Sequence, residues 1–103
     1  MLTKIPLKNN DFNFSTSFFV EGVEFYARFT WQEREQLFLM DIGRGEENYI
    51  LSGIPLLTNV KLNKGVENLL PGTLFLHSKD DKIEKPNFLQ IGETVSFYHY
   101  TPD

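Results

Sequence analysis

From residue 12 to residue 31 apolar and polar side chains alternate, and the alternation turns over at Glu21-Gly22. Before that pair Phe12, Phe14, Phe18 and Val20 share one face, with Asn13, Ser15 and Ser17 on the other; Thr16 and Phe19 are the exceptions. After it Val23, Phe25, Ala27, Phe29 and Trp31 alternate with Glu24, Tyr26, Arg28 and Thr30. A period of two belongs to a strand, and two such runs joined by two residues including a glycine predict a β-hairpin with one wet face. The rest of the chain has to build onto that sheet.

The supply of side chains points the same way. Ten Phe, four Tyr and one Trp stand against a single alanine, Ala27, so residues that fit a pleated surface abound and strong helix formers are scarce. With 103 residues the chain makes one domain, spanning 1–103, that buries nearly two-thirds of its extended area, enough for a core without staples. There is no cysteine, which excludes a disulfide framework, a thiolate nucleophile and cysteine zinc ligands. A net charge of −4 argues against a nucleic-acid binder that lives off phosphate contacts. No apolar secretory core follows Met1 and nowhere do 18 apolar residues run together, so synthesis in the cytoplasm and no membrane segment are expected.

Around the hairpin, Ile5-Pro6-Leu7 reads as an extended, tethered start, followed by a polar turn at Lys8-Asn9-Asn10-Asp11. Residues 32–36 form a charged connector. Residues 37–42 are apolar on both faces until Asp41, as in a central strand covered on each side. Gly43 and Gly45 mark a turn. The run 51–60 carries Gly53 and Pro55 at its centre; proline cannot donate to a ladder and glycine supplies freedom where the chain bends. A kinked extended segment crossing the core, with Ile54, Leu56, Leu57 and Val60 as its apolar contacts, is one reading, and a strand end followed by an ordinary turn is the other. Residues 60–72 are irregular or one short turn, 73–78 a strand, and 79–87 a hydrophilic, mobile loop. Phe88, Leu89 and Ile91 lead past Gly92 into a last strand, where Val95, Phe97 and His99 alternate with Ser96, Tyr98 and Tyr100. The expectation is an all-β domain of about seven antiparallel strands, a β-sandwich or a partly open β-barrel; periodicity does not choose between them.

Chemistry-bearing groups are few. His77 and His99 end separate strands, and with Asp80 or Asp81 would make only a thin metal site without ligand spacing. Ser78 beside His77 is no nucleophile arrangement, because neighbouring strand residues point to opposite faces. Glu33/Glu35 and Asp80-Asp81 read as solvated loop charges. Gly43-x-Gly45 lacks the lysine and helix of a phosphate loop. No catalytic residue, metal or cofactor is expected. A small β-barrel stacking single-stranded nucleic acid, or a peptide, on Tyr26, Tyr98 and Tyr100 is the alternative, although the basic residues it needs are scattered.

The order Ile5-Pro6-Leu7, Phe12-x-Phe14, the hairpin at Glu21-Gly22, Tyr26-x-Arg28-x-Thr30-Trp31, residues 38–42, Ser52-Gly53-Ile54-Pro55-Leu56, residues 74–76, Gly92 and Phe97-Tyr98 resembles the small baseplate plug proteins of contractile-tailed bacteriophages. The resemblance spans nearly the whole chain and is most specific at residues 52–56. It implies a structural virion protein on the tail axis, where tube meets hub and spike, closing the channel until injection. It implies no catalysis, and a trimer matching the threefold symmetry of hub and spike. Two departures concern loop contacts: the stretch 80–86 carries Lys82 and Lys85 where acidic residues are the pattern, and Gln32-Glu33-Arg34 replaces an Asn-containing turn. An interaction part of this kind would grip its neighbours through Phe19, Tyr26, Gly53, Ile54, Pro55, Tyr98 and Tyr100, since aromatic residues concentrate at interface hot spots; Phe19, Tyr98 and Tyr100 forming a second core face is the competing reading.

Overall fold

The computed structural model describes residues 1–7, 12–44, 48–80, 82, 84–87, 90, 91 and 94–102. The expected turns at Lys8-Asn9-Asn10-Asp11 and at Gly45, the carboxylate of Asp81, and Phe88, Leu89 and Gly92 lie outside the described residues. Seven strands follow in chain order: β1 Leu2–Ile5, β2 Asn13–Val20, β3 Val23–Gln32, β4 Leu37–Gly43, β5 Tyr49–Pro55, β6 Thr73–Ser78 and β7 Val95–Tyr100. They pair antiparallel in two sheets, ordered β1-β7-β6 and β2-β3-β4-β5. The fold is all-β, and of the two expected shapes it is the two-sheet one; among the described residues no continuous ladder closes a barrel.

The hairpin is as the alternation dictates. Val20 pairs with Val23, and Glu21 and Gly22 both take positive φ (51° and 80°), as a type I′ turn requires. The inward faces of β2 and β3 give Phe14 stacked on Phe29 at 4.8 Å and Phe18 on Phe25 at 5.8 Å. Phe97, from the middle strand of the other sheet, meets Phe29 and Phe18 edge-on at 5.7 and 6.1 Å, so one aromatic cluster joins both layers. Thr16, the polar exception on that inward face, donates its hydroxyl to the Pro6 carbonyl at 2.9 Å, a bond across the seam between β1 and β2. The start of the chain is tethered as expected: β1 pairs with β7, and the N-terminal ammonium and backbone of Met1 bond to Thr101.

Three expectations need correction. In β4 Phe38, Met40 and Ile42 are fully buried, but Leu37 and Leu39 on the other face are only half-buried, because among the described residues no second layer covers that side of the four-stranded sheet. Phe12 is exposed, since β2 starts one residue later and Phe12 lies past the last inward-facing position; its carbonyl still accepts the Trp31 N–H at 2.8 Å. Val60, taken as a core contact, is exposed.

The kinked segment does carry the chain across. Ser52 and Gly53 together oppose Asp41, a bulge with Gly53 at φ 67°, and Pro55 ends the strand opposite Leu39 on the sheet's edge, where its missing N–H costs no ladder bond. Leu56, fully buried, donates its N–H to Phe38, and the chain then runs beside β6, with Asn59 and Leu62 donating to Leu76 and Leu74. A Cβ on Gly53 would meet nothing within 4 Å, so Gly53→Ala is expected to cost only the left-handed strain, about 1 kcal/mol, in chemical denaturation.

Residues 62–72 form turns and no helix, organised by Asn63. Its side chain, fully buried, donates to the carbonyls of Leu70 (2.8 Å) and Gly72 (3.1 Å) and accepts the N–H of Leu74 (3.0 Å), tying both ends of the loop to β6. Gly72 sits at φ 87°, and a Cβ there would lie 2.5 Å from the Tyr100 carbonyl and 2.8 Å from the His99 ring. Gly72→Ala is therefore expected to cost about 3 kcal/mol, strain and overpacking together, well beyond the Gly53 change in the same assay. At the loop's outer turn the Glu67 carboxylate is held below its usual pKa, first by its own backbone N–H and that of Gly65, with Lys61 at 3.4 Å adding less. A depressed carboxylate contributes stability above its unfolded pKa and loses it as pH falls through the folded one. Protonation of Glu67, followed by NMR, should therefore occur at lower pH than in an unstructured peptide and loosen this turn first.

Candidate interaction surfaces

Register and alternation define two outward faces. On the four-stranded sheet the outward rows run Phe19 beside Glu24; Ser17, Tyr26, Gly43 and Tyr49; Ser15, Arg28 and Asp41; then Asn13, Thr30, Leu39 and Pro55. Within them Tyr26 donates its hydroxyl to Glu24 at 2.8 Å, and the Arg28 guanidinium bonds Asp41 at 2.8 Å while lying 4.9 Å over the Tyr49 ring. The bond to Asp41 pushes the Arg28 pKa further up. The other oxygen of Asp41 accepts the Gly53 N–H at 2.8 Å, so this one carboxylate neutralises β3 and pins the bulge of β5. A shallow cleft of about 330 Å³ opens between Ser15, Tyr26, Ala27, Arg28 and Tyr49.

On the three-stranded sheet the outward rows are Leu2, Tyr100 and Thr73; Lys4, Tyr98 and Phe75; then Ser96 and His77. Tyr98 stacks on Phe75 at 5.7 Å, and Leu2 and Tyr100 are exposed.

The seven residues singled out in the sequence thus divide. Phe19, 65% exposed, and Tyr26 lie on one outward face; Tyr98 and Tyr100 lie on the opposite one. Gly53 and Pro55 lie on the edge strand β5, and Ile54 between them turns inward opposite Met40 to pack on the core. Sequence reasoning passed over Leu2, Phe75 and Tyr49. The alternation of 73–78 would have found Phe75, but Leu2 joins the patch only through the pairing of β1 with β7.

The histidines do not meet. His77 is exposed on the outer face, whereas His99 is buried on the inner one with its Nε2 2.7 Å from the Pro71 carbonyl. Ser78 is engaged in a turn with Asp80, and Glu33 accepts the Trp31 indole N–H at 2.7 Å. Among the described residues no group of three or more His, Cys, Asp or Glu could hold a metal ion.

Such a body, two sheets welded by aromatic rings with further aromatic side chains turned outward, belongs to the class of small all-β proteins. A family model described as the cyanophage baseplate Pam3 plug gp18 matches residues 2–102, and the chain belongs to that family. No curated protein matches it. Membership makes this a structural component of a phage tail baseplate that contacts other baseplate components.

Proposed function

We propose that the protein, made in the cytoplasm of the bacterial host, closes the axial channel of the tail where tube, hub and spike meet, and does so by contact without transforming any molecule. The observation that carries this reading is the family match over residues 2–102. The architecture supports it. A plug must resist deformation, and a core in which Phe97 locks Phe18 and Phe29 across the two layers is stiff. It must also grip, and Leu2 with the rings of Tyr100, Tyr98 and Phe75 forms an outward apolar patch of the kind interfaces use as anchors. The edge residues Gly53 and Pro55 lie beside the other face and complete the contact set.

Co-expression with the hub, spike and tube proteins of the same genome, followed by copurification and sizing, tests this. The expected outcome is a stable complex in which three copies match the threefold symmetry of hub and spike. Tyr98→Ala combined with Tyr100→Ala should weaken copurification by about tenfold or more while leaving the circular dichroism spectrum unchanged. No association at any salt concentration would overturn the reading.

A further inference from the structure

We propose that the outward face of β1-β7-β6 takes an apolar surface of a different baseplate protein, edged by a carboxylate that pairs with Lys4. This rests on the plug reading above and names the chemistry of the surface that the aromatic patch grips.

The two outward faces differ in whether their polar groups are already answered. On the four-stranded sheet Arg28 pairs with Asp41, Asp41 also accepts from the Gly53 N–H, and Glu24 accepts from Tyr26. On the three-stranded sheet the Lys4 ammonium, the His77 ring and the hydroxyls of Tyr98 and Tyr100 form no hydrogen bond or ion pair among the described residues. Lys4 and His77 are both exposed, so these groups are free to meet a partner.

Lys4 belongs to the apolar patch by register. Leu2 shares its face of β1, Tyr98 lies directly across on β7, and Tyr100 lies on the diagonal. A contact that covers Leu2, 57% exposed, and Tyr100, 45% exposed, therefore reaches the ammonium as well. Burying a charge without a partner is costly, so the covering surface has to supply an acid.

That acid has to come from another kind of chain. None of the outward residues of this face is acidic, although the chain holds 14 acids against 10 bases. Two copies placed face to face would leave both Lys4 side chains without a counter-charge. Stacking this face on the back of the next copy fails for a related reason, because Glu24 and Asp41 there are engaged by Tyr26 and Arg28. One lysine on a chain of net charge −4 is too little for a phosphate backbone. Three copies on a threefold partner would each meet an equivalent surface, with no contact between copies through this face.

Calorimetric titration of the hub, spike and tube proteins that copurify with the wild type tests this, using Lys4→Glu, Lys4→Met and Lys4→Arg chains. Lys4 is exposed and unpaired, so all three should keep the wild-type circular dichroism spectrum. The expected dissociation constant rises about a hundredfold for Lys4→Glu and about tenfold for Lys4→Met, and stays at the wild-type value for Lys4→Arg. Ser17→Glu, which sets a new acid on the opposite face, should bind as the wild type does. Added salt should weaken the wild type more than Lys4→Met, which has no charge left to screen. Should the Lys4→Glu chain fail to fold, Lys4→Met carries the same test. A wild type that binds while these folded variants bind equally well overturns this inference alone; a wild type that joins no complex overturns the plug reading and this inference with it. Self-association of the free chain that is abolished by Tyr98→Ala with Tyr100→Ala, or Lys4-dependent capture of a single-stranded oligonucleotide, would give the face to another occupant and overturn the inference too.

Discussion

Asn63→Ala is expected to lower the unfolding free energy by about 4 kcal/mol, because it strands two buried backbone groups and a part-buried third at once. The carbonyls of Leu70 and Gly72 lose their donor and the Leu74 N–H loses its acceptor; the groups of Leu70 and Leu74 are buried and that of Gly72 is part-buried. For a domain of this size that is a fall in melting temperature on the order of 15 °C or more. Asn63→Asp separates the polar requirement from the steric one. At neutral pH a carboxylate would keep the acceptor for Leu74 but face two carbonyl oxygens, so the variant should be at least as unstable as Asn63→Ala. Burial raises the folded-state pKa of such a carboxyl above its unfolded value, so the penalty grows as pH rises from the unfolded pKa towards the folded one and shrinks on acidification. Urea unfolding of both variants at two pH values checks this. Equal stability of Asn63→Ala and wild type would mean that the 62–72 loop is not held as described.

Phe97→Ala is expected to cost about 4 kcal/mol by the same measurement, from lost burial and the cavity left behind. This ring is fully buried and makes edge-on contacts with both Phe18 and Phe29, so its removal opens the layer between the sheets. Phe97→Leu, which keeps most of the volume, should cost no more than about 2 kcal/mol. Tyr98→Ala, one residue on and facing outward against Phe75, should cost only about 1 kcal/mol. The contrast between neighbours is the signature of a two-layer core: a sheet packed equally on both faces would penalise Phe97 and Tyr98 alike.

Much of this is legible in the sequence. The Glu21-Gly22 hairpin, the inward set of β3 and the alternation of β7 follow from period two, because a strand with one dry face must write that period into its side chains. The bend at Gly53 and Pro55 was visible because both residues have few places in a sheet. What the sequence hid is long-range or polar. Asn63 stands in Lys61-Leu62-Asn63-Lys64-Gly65, a stretch that reads as solvent-facing, and only the return of the chain through Leu70, Gly72 and Leu74 gives its amide three partners. Nothing local marks Gly72, because its tightness comes from β7 pressing Tyr100 and His99 against it. The surface residues were found singly but not grouped: alternation says which way Phe19 or Tyr98 faces within its strand, not that the two strands lie in opposite layers. The apolar side of β4 misled for a related reason, since Leu37 and Leu39 look like core whether or not a layer covers them.

The most direct test of a plug on the tail axis is a cryo-electron microscopy reconstruction of the intact tail without imposed sixfold symmetry. Density matching this two-sheet body within the channel, between the last tube ring and the spike, with Leu2, Tyr98 and Tyr100 against a neighbouring subunit, is the expected result. An open channel at that level in uncontracted tails, with the protein located elsewhere in the particle or missing from it, would contradict the assignment.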